Sequence, residues 1–320
     1  MENDPRSSTR PFRFGVSVGP APSGAAWRSQ ARRAEALGFD TLLIADHLDD
    51  TFPPLTAVAA AAEATERLHV GTFVVNNDFR HPVLLAREAA TLGLLTDGRF
   101  ELGVGAGHMR SEYEQAGIAF DPAAVRVGRL AESVQLLRRL LAGEEVTFQG
   151  NHYQVTGHRA YPVPPSPVPL LVGGNGRQLL AVAAAQADIV GFTGFSPGAT
   201  GADVRLTHFG AAGLEDRIAQ VCQHAGSRFG SLELNALIQR VMVTDDRRAT
   251  AASLQAHLPA MSVDEILDSP FLLIGTYDQM AEALRERRDR FGVSYWVVFA
   301  ERPGSDQTLD TFAPVIERLS

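Results

Sequence analysis

Residues 68–108 read LHVGTFVVNNDFRHPVLLAREAATLGLLTDGRFELGVGAGH. A β-branched apolar run at 68–75 stops at a polar cluster, Asn76, Asn77 and Asp78, with Arg80 and His81 close behind. A helix with Pro82 in its first turn is expected over 82–95. A second apolar run at 99–104 then leads into alternate glycines, Gly103, Gly105 and Gly107. Strand, helix, strand without an intervening hairpin turn is the βαβ unit of a parallel sheet.

The same alternation continues on both sides. Upstream lie a strand at 12–18, a helix at 25–37 that stops at Gly38, a strand at 41–45 and an Ala-rich helix at 54–67. Downstream come a long helix at 123–141, a strand at 169–172, a helix at 178–186, a strand at 188–192, a helix at 214–229 and a strand at 234–243. Two helical segments lead to 272–274, followed by a helix at 277–291, a strand at 294–299 and a closing helix to 319. Eight strands separated by helices predict an α/β fold, a (β/α)8 TIM barrel with insertions, as one domain over 12–320. The alternative is a doubly wound open sheet. Insertions are expected near 143–168, which holds an exposed strand pair and a Pro-rich stretch, and near 193–213, which is rich in Gly, Ser, Thr and Pro. Residues 1–11 read as a disordered polar tail without the apolar core of a signal peptide.

Composition narrows the chemistry. The chain has 320 residues, 45% hydrophobic and 21% charged, enough for a large core without disulfides or metals. Its net charge of -8 opposes a nucleic-acid-binding face. All 29 cationic residues are Arg, which removes Schiff-base and P-loop Lys chemistry. The one cysteine, Cys222, is expected to be a packed hydrophobe. No apolar run is long enough to span a membrane, and a cytoplasmic protein is expected.

In a barrel the chemistry sits at the C-terminal ends of the strands. There the sequence places Asp46-His47, Asn76-Asn77-Asp78, the run from Gly103 to His108, and Gly173-Gly174-Asn175-Gly176. The last follows a strand and opens a helix, so its N–H groups and the helix N-terminus suit a phosphate; a tight turn without ligand is the other reading. Neither glycine run is a G-x-G-x-x-G fingerprint, because the third position falls on Leu179 or His108. Gly103, Gly105 and Gly107 offer a side-chain-free floor for a flat ring, or merely turns with positive φ. His47 is a candidate proton donor or acceptor, or a structural hydrogen-bonding residue, and His108 is the second candidate. Direct pairing of Asp46 with His47 is not assured, since neighbouring strand residues point to opposite sides. The G-x-S-x-G match at 194–198 fails as a hydrolase elbow, because Pro197 has no N–H for the oxyanion. No His-x-His or H-E-x-x-H anchors a metal. The alternating charges at 285–290 describe a solvated helix face.

The ordered set of motifs resembles the bacterial luciferase-like monooxygenase superfamily, in its branch that uses the deazaflavin coenzyme F420. The matching stretches are RAEALGFD (33–40), ADH (45–47), VGTFVVNNDFRHP (70–82), GRFELGVGAG (98–107), LVGGNG (171–176) and IGT (274–276). The resemblance implies a luciferase-like barrel with the ring system at its mouth and His47 facing the reactive part of the ring or the substrate. It implies a non-proline cis peptide at Phe73–Val74 backing the ring, a ring contact at Asn76, and a phosphate-binding turn at Gly173, Gly174 and Asn175. Asp46, Gly105 and Gly107 complete the expected cofactor-binding set. Some family reductases carry a Glu acid directly after the strand-four glycines, where this chain has His108. The implied activity is hydride transfer between F420 and a small organic molecule, by C=C or C=N reduction or by alcohol oxidation, in a homodimer. The alternatives are a two-component FMN monooxygenase and a cofactor-less binding barrel. Phe192 and Phe195 are expected to line the substrate pocket.

Overall fold

The computed structural model describes residues 10–48, 51–197, 204–300 and 306–320. Residues 1–9 of the expected tail lie outside them. Arg10, expected in that tail, is anchored instead: its guanidinium donates to the Ser231 carbonyl at 2.9 Å.

Eight strands form the barrel: β1 (Arg13–Val18), β2 (Thr41–Ile44), β3 (His69–Thr72), β4 (Phe100–Gly105), β5 (Leu170–Gly173), β6 (Ile189–Phe192), β7 (Glu233–Ile238) and β8 (Tyr295–Ala300). All eight neighbouring pairs are parallel, β3 joins β4 through Val70↔Phe100, and β8 returns to β1 from Arg13↔Tyr295 to Val18↔Ala300. Closure rules out the doubly wound sheet. The surrounding helices are α1 (Gly24–Ala36), α2 (Pro54–Ala62), α3 (Pro82–Leu95), α4 (Arg110–Ala116), α5 (Ala123–Leu141), α6 (Arg177–Gln186), α7 (Ala211–Ala225), α8 (Arg247–Leu254), α9 (Val263–Asp268), α10 (Tyr277–Phe291) and α11 (Asp306–Glu317).

Alternate strand residues serve two cores, as the period of two requires. Phe14, Val16, Leu42, Ile44, Leu170, Val172, Trp296 and Val298 pack with the helices. Leu43, Leu171, Ile189, Leu237, Tyr295 and Val297 fill the barrel, with Phe73, Val74 and Phe299 half-buried against them. At the N-terminal end of the strands the interior is polar. Arg13 donates to Glu101 at 2.9 Å and to Glu233 at 2.6 Å, and the Tyr295 hydroxyl donates to Glu101 at 2.5 Å. The barrel is therefore plugged at its base and carries half-buried apolar side chains toward its mouth.

Three local readings change. The apolar run at 234–243 is not one strand: β7 ends at Ile238, and Arg240–Val243 pairs in parallel with Leu272–Gly275 outside the barrel. The run at 68–75 is also interrupted: β3 ends at Thr72, the Phe73–Val74 peptide is cis, and Val75–Asn76 then pairs with β4. Phe192 does not line the mouth; it is wholly buried in the core shared with the helices. The segment after α5 forms an antiparallel hairpin, Glu145–Gln149 with Gln154–Arg159.

Candidate active site

The mouth is built by the segments that leave β2, β3, β4, β5 and β6. The turn to Val74 explains the alternate glycines of β4. A Cβ at Gly105 would lie 2.6 Å from Val74 Cγ2, and one at Gly103 would lie 2.1 Å from the Thr72 carbonyl oxygen. The space left by those glycines is occupied by Val74 and the β3 backbone, so a flat ring lying there would meet Val74 rather than bare glycine. Gly107 has φ +72°, and a Cβ there would fall 2.6 Å from Asn76 Oδ1.

Asp46 and His47 are neighbours in sequence and belong to different networks. The buried Asp46 carboxylate accepts from both guanidinium nitrogens of Arg80 and from the Asn76 amide at 2.9 Å. It ties β2 to the segment that follows the cis peptide. Asn76 Oδ1 in turn accepts from the Asp78 amide at 3.1 Å and lies 3.0 Å from the Tyr113 hydroxyl. Asp78 is paired with Arg129 of α5 at 2.8 Å. Burial, then the nearby Asp78, pushes the Tyr113 phenol well above its ordinary range, so it remains protonated.

His47 points to another element. Its Nδ1 lies 2.8 Å from Glu112 Oε1 in the first turn of α4. The backbone around it is fixed as well: the His47 amide donates to Thr51 Oγ1 at 3.2 Å, and that hydroxyl donates back to the His47 carbonyl at 2.8 Å. The imidazole keeps 27% of its side-chain surface exposed, while the Glu112 side chain keeps 4%. His108 meets the His47 ring edge-on, centroids 5.6 Å apart. His108 is open to solvent, yet desolvation by the surrounding protein, and then the neighbouring His47, lower its pKa below the ordinary range. The pair thus offers one imidazole with a carboxylate partner and, beside it, a second whose pKa is lowered.

The Gly173-Gly174-Asn175-Gly176 turn joins β5 to α6. Gly174 has φ +151°, and its amide donates to the Gly191 carbonyl at 3.1 Å, so that donor is committed to β6. The N–H groups left for an anion are those farther on, in the first turn of α6. Gly176 is the N-cap of that helix and no side chain caps it; a Cβ there would meet nothing within 4 Å. Asn175 Nδ2 donates to Thr193 Oγ1 at 3.0 Å and to the Phe195 carbonyl, whereas its buried Oδ1 has no hydrogen-bond partner. Phe195 stacks on Phe209, and Phe209 on Phe271, forming an aromatic row beside this turn. These features fit a phosphate at the start of α6 and an apolar molecule next to it.

Sequence reading placed His47, His108 and the α6 turn at one rim. It missed α4 and Glu112. That helix has seven residues and no side-chain cap, and no spacing links Glu112 to a histidine 65 positions earlier.

Fold and mouth together define a (β/α)8 barrel with its polar groups at the C-terminal rim. The family described as luciferase-like monooxygenase matches residues 7–213, and the chain belongs to that family. Over 158 residues it is 38% identical to the F420-dependent glucose-6-phosphate dehydrogenase of Intrasporangium calvum, covering 45% of this chain and 46% of that protein. The chain thus spans about half the length of the curated relatives it matches. Among solved structures it resembles an F420-dependent secondary alcohol dehydrogenase in complex with an F420-acetone adduct (TM-score 0.76, 21% identity, 97% of this chain and 100% of that one). It also resembles a long-chain alkane monooxygenase (TM-score 0.73, 16% identity, 97% and 91%).

Proposed function

We propose that the protein is an F420-dependent dehydrogenase acting between a carbinol and a carbonyl carbon of a small organic substrate. The observation that carries this reading is the 38% identity to a protein named for that cofactor and that reaction type, joined to a mouth with the groups the chemistry needs. The first turn of α6 would hold the phosphate of the coenzyme. The half-buried Phe73, Val74 and Phe299 would supply apolar contacts for its ring. When bound, the deazaflavin accepts or gives the hydride. His47 handles the proton: as the carbinol C–H pair leaves as hydride, the hydroxyl proton passes to the imidazole, and in the reverse direction the imidazolium returns it. Half-buried Phe195 would give the substrate an apolar edge, with the buried Phe209 and Phe271 stacked behind it.

The fold alone does not separate this reading from an FMN-dependent monooxygenase, since a monooxygenase barrel is matched about as well. Titration of the purified protein with F420 and, separately, with FMN, followed by fluorescence, tests it. Binding of F420 and not FMN is expected. FMN binding alone would turn the reading to a monooxygenase, and binding of neither to a cofactor-less binding barrel.

We further read the protein as a cytoplasmic homodimer. Exposed Leu84 of α3 and exposed Tyr161 border a groove on the α2–α3 side, with Arg87 and Glu88 beside it, and Leu95 is exposed farther along α3. A two-fold copy would bury the apolar groups and set those opposite charges face to face. Light scattering should give twice the chain mass. Among the described residues no helix is long and apolar enough to cross a membrane.

A further inference from the structure

A neutral imidazole carries one proton on two nitrogens, and the nitrogen that carries it decides what the other can do. In His47 the surroundings make that choice. Glu112 Oε1 lies 2.8 Å from Nδ1 and also accepts from the Leu48 amide at 3.2 Å. An ionised carboxylate only accepts, so the Nδ1 side must donate. The carboxylate is 3% exposed as a residue and sits on α4, whose start is fixed relative to β4 by a short connection from Gly105 to Arg110. Asp46, the acid adjacent in sequence, is occupied by Arg80 and the Asn76 amide. Among the described residues, Glu112 is the carboxylate set against His47.

We propose that Glu112 is the positioning residue of this site: it holds the Nδ1 proton of His47, so that Nε2 is the atom that takes a proton from the substrate or returns it. This rests on the role given to His47 above. In the neutral state Nε2 then carries a lone pair and acts as the base for a hydroxyl proton; after transfer, the imidazolium is stabilised by the carboxylate behind it. Atoms balance with one proton moved from substrate oxygen to Nε2 and one hydride moved from the carbinol carbon to the coenzyme. His108 faces the same ring from the β4 side, with Arg126 of α5 and Glu112 acting on it electrostatically. Desolvation and the neighbouring His47 lower the pKa of that second ring.

The test has two readouts. In cofactor-free protein labelled with 15N at its nine histidines, with His47 assigned by comparison with His47→Ala, long-range 15N–1H spectra report which nitrogen is protonated. Wild type should show the Nδ1–H form. Glu112→Gln keeps an acceptor oxygen and loses the charge, so it should retain that form while the His47 titration midpoint moves to lower pH. Glu112→Ala should lose the tautomer preference. In the loaded enzyme both variants should lose kcat, by about 100-fold for Ala, with KM little changed, and Gln should shift the acidic limb of the kcat profile downward. A thermal melt checks that Ala remains folded, and Gln carries the test if it does not. An Nε2–H form in wild type, or spectra unchanged in both variants, would overturn the assignment of Glu112. Full turnover in His47→Ala with an intact Nδ1–H signal in wild type would instead remove the dehydrogenase role of His47 and leave the Glu112 contact standing.

Discussion

His47 and Gly176 carry separable parts of the proposed chemistry, and single substitutions should pull them apart. His47→Ala removes the proton-handling group without touching the start of α6. Turnover should fall by about 100-fold or more, while the F420 dissociation constant stays within a few-fold; wild-type turnover would take His47 out of the reaction. Gly176→Asp should do the reverse, and with opposite signs in two measurements. Gly176 is extended (φ −73°, ψ 139°) with open space around its Cβ position, so Asp is tolerated there. Its carboxylate would cap the first turn of α6, which no side chain caps now, so the melting temperature should hold or rise. The same carboxylate would stand where the phosphate is expected, and F420 affinity should drop by about tenfold, or about 1.4 kcal/mol. Unchanged affinity would show that the phosphate lies elsewhere. Much of this pair was readable in the sequence, because a glycine turn between strand and helix has a fixed geometry. The partner of His47 was not: the chain brings Glu112 to it across 65 residues, while the adjacent Asp46 turns to Arg80.

Periodicity found nearly every helix and strand and failed where an element changes company without changing pattern. The run from Leu234 to Val243 remains apolar throughout, yet the chain leaves the barrel at Gln239 and pairs with Leu272–Gly275. Hydrophobicity records burial, not which sheet provides it. The connections between elements rely on two glutamates whose partners no pattern marked. Glu35 Oε1 of α1 accepts from the amides of residues 66–68, at 2.6 to 2.9 Å, and so clamps the turn into β3. Glu132 of α5 accepts from the Asn151, His152 and Tyr153 amides, at 2.7 to 3.1 Å, at the tip of the 145–159 hairpin. For each carboxyl, burial pushes the pKa up and the three amide bonds outweigh it, so the net shift is downward. A depressed carboxyl contributes stability above its unfolded pKa, near 4.5, and loses that contribution as pH falls through the lower folded value. Glu35→Gln and Glu132→Gln should therefore melt below wild type at pH 7, with the gap closing as the pH is lowered from about 5 toward 3. A gap independent of pH would mean that charge plays no part in either clamp.

The barrel as a body divides stability from activity along its axis, and the base supplies the sharpest check of that division. Arg13 of β1, Glu101 of β4, Glu233 of β7 and Tyr295 of β8 link four strands across the interior, with the Arg13 guanidinium also stacked 4.2 Å over the Tyr295 ring. Burial opposes the charge on Arg13, and Glu101, Tyr295 and Glu233 together more than compensate, so it stays protonated. Burial, followed by Glu101, drives the Tyr295 phenol far above its ordinary range, and burial likewise raises the Glu233 carboxyl. Removing the central acceptor should be severe, because it leaves a largely buried cation and a buried hydroxyl short of a partner. Glu101→Ala is expected to lose about 3–5 kcal/mol of unfolding free energy, and Glu101→Gln less, since its amide oxygen still accepts from Tyr295. None of these four groups lies at the mouth, where His47 and α6 sit. Below its melting transition, folded Glu101→Gln should therefore bind F420 and turn over as wild type does. Denaturant unfolding and cofactor titration on the same preparation decide the matter: a loss of affinity matching the loss of stability would mean that the plug shapes the mouth through the length of the barrel.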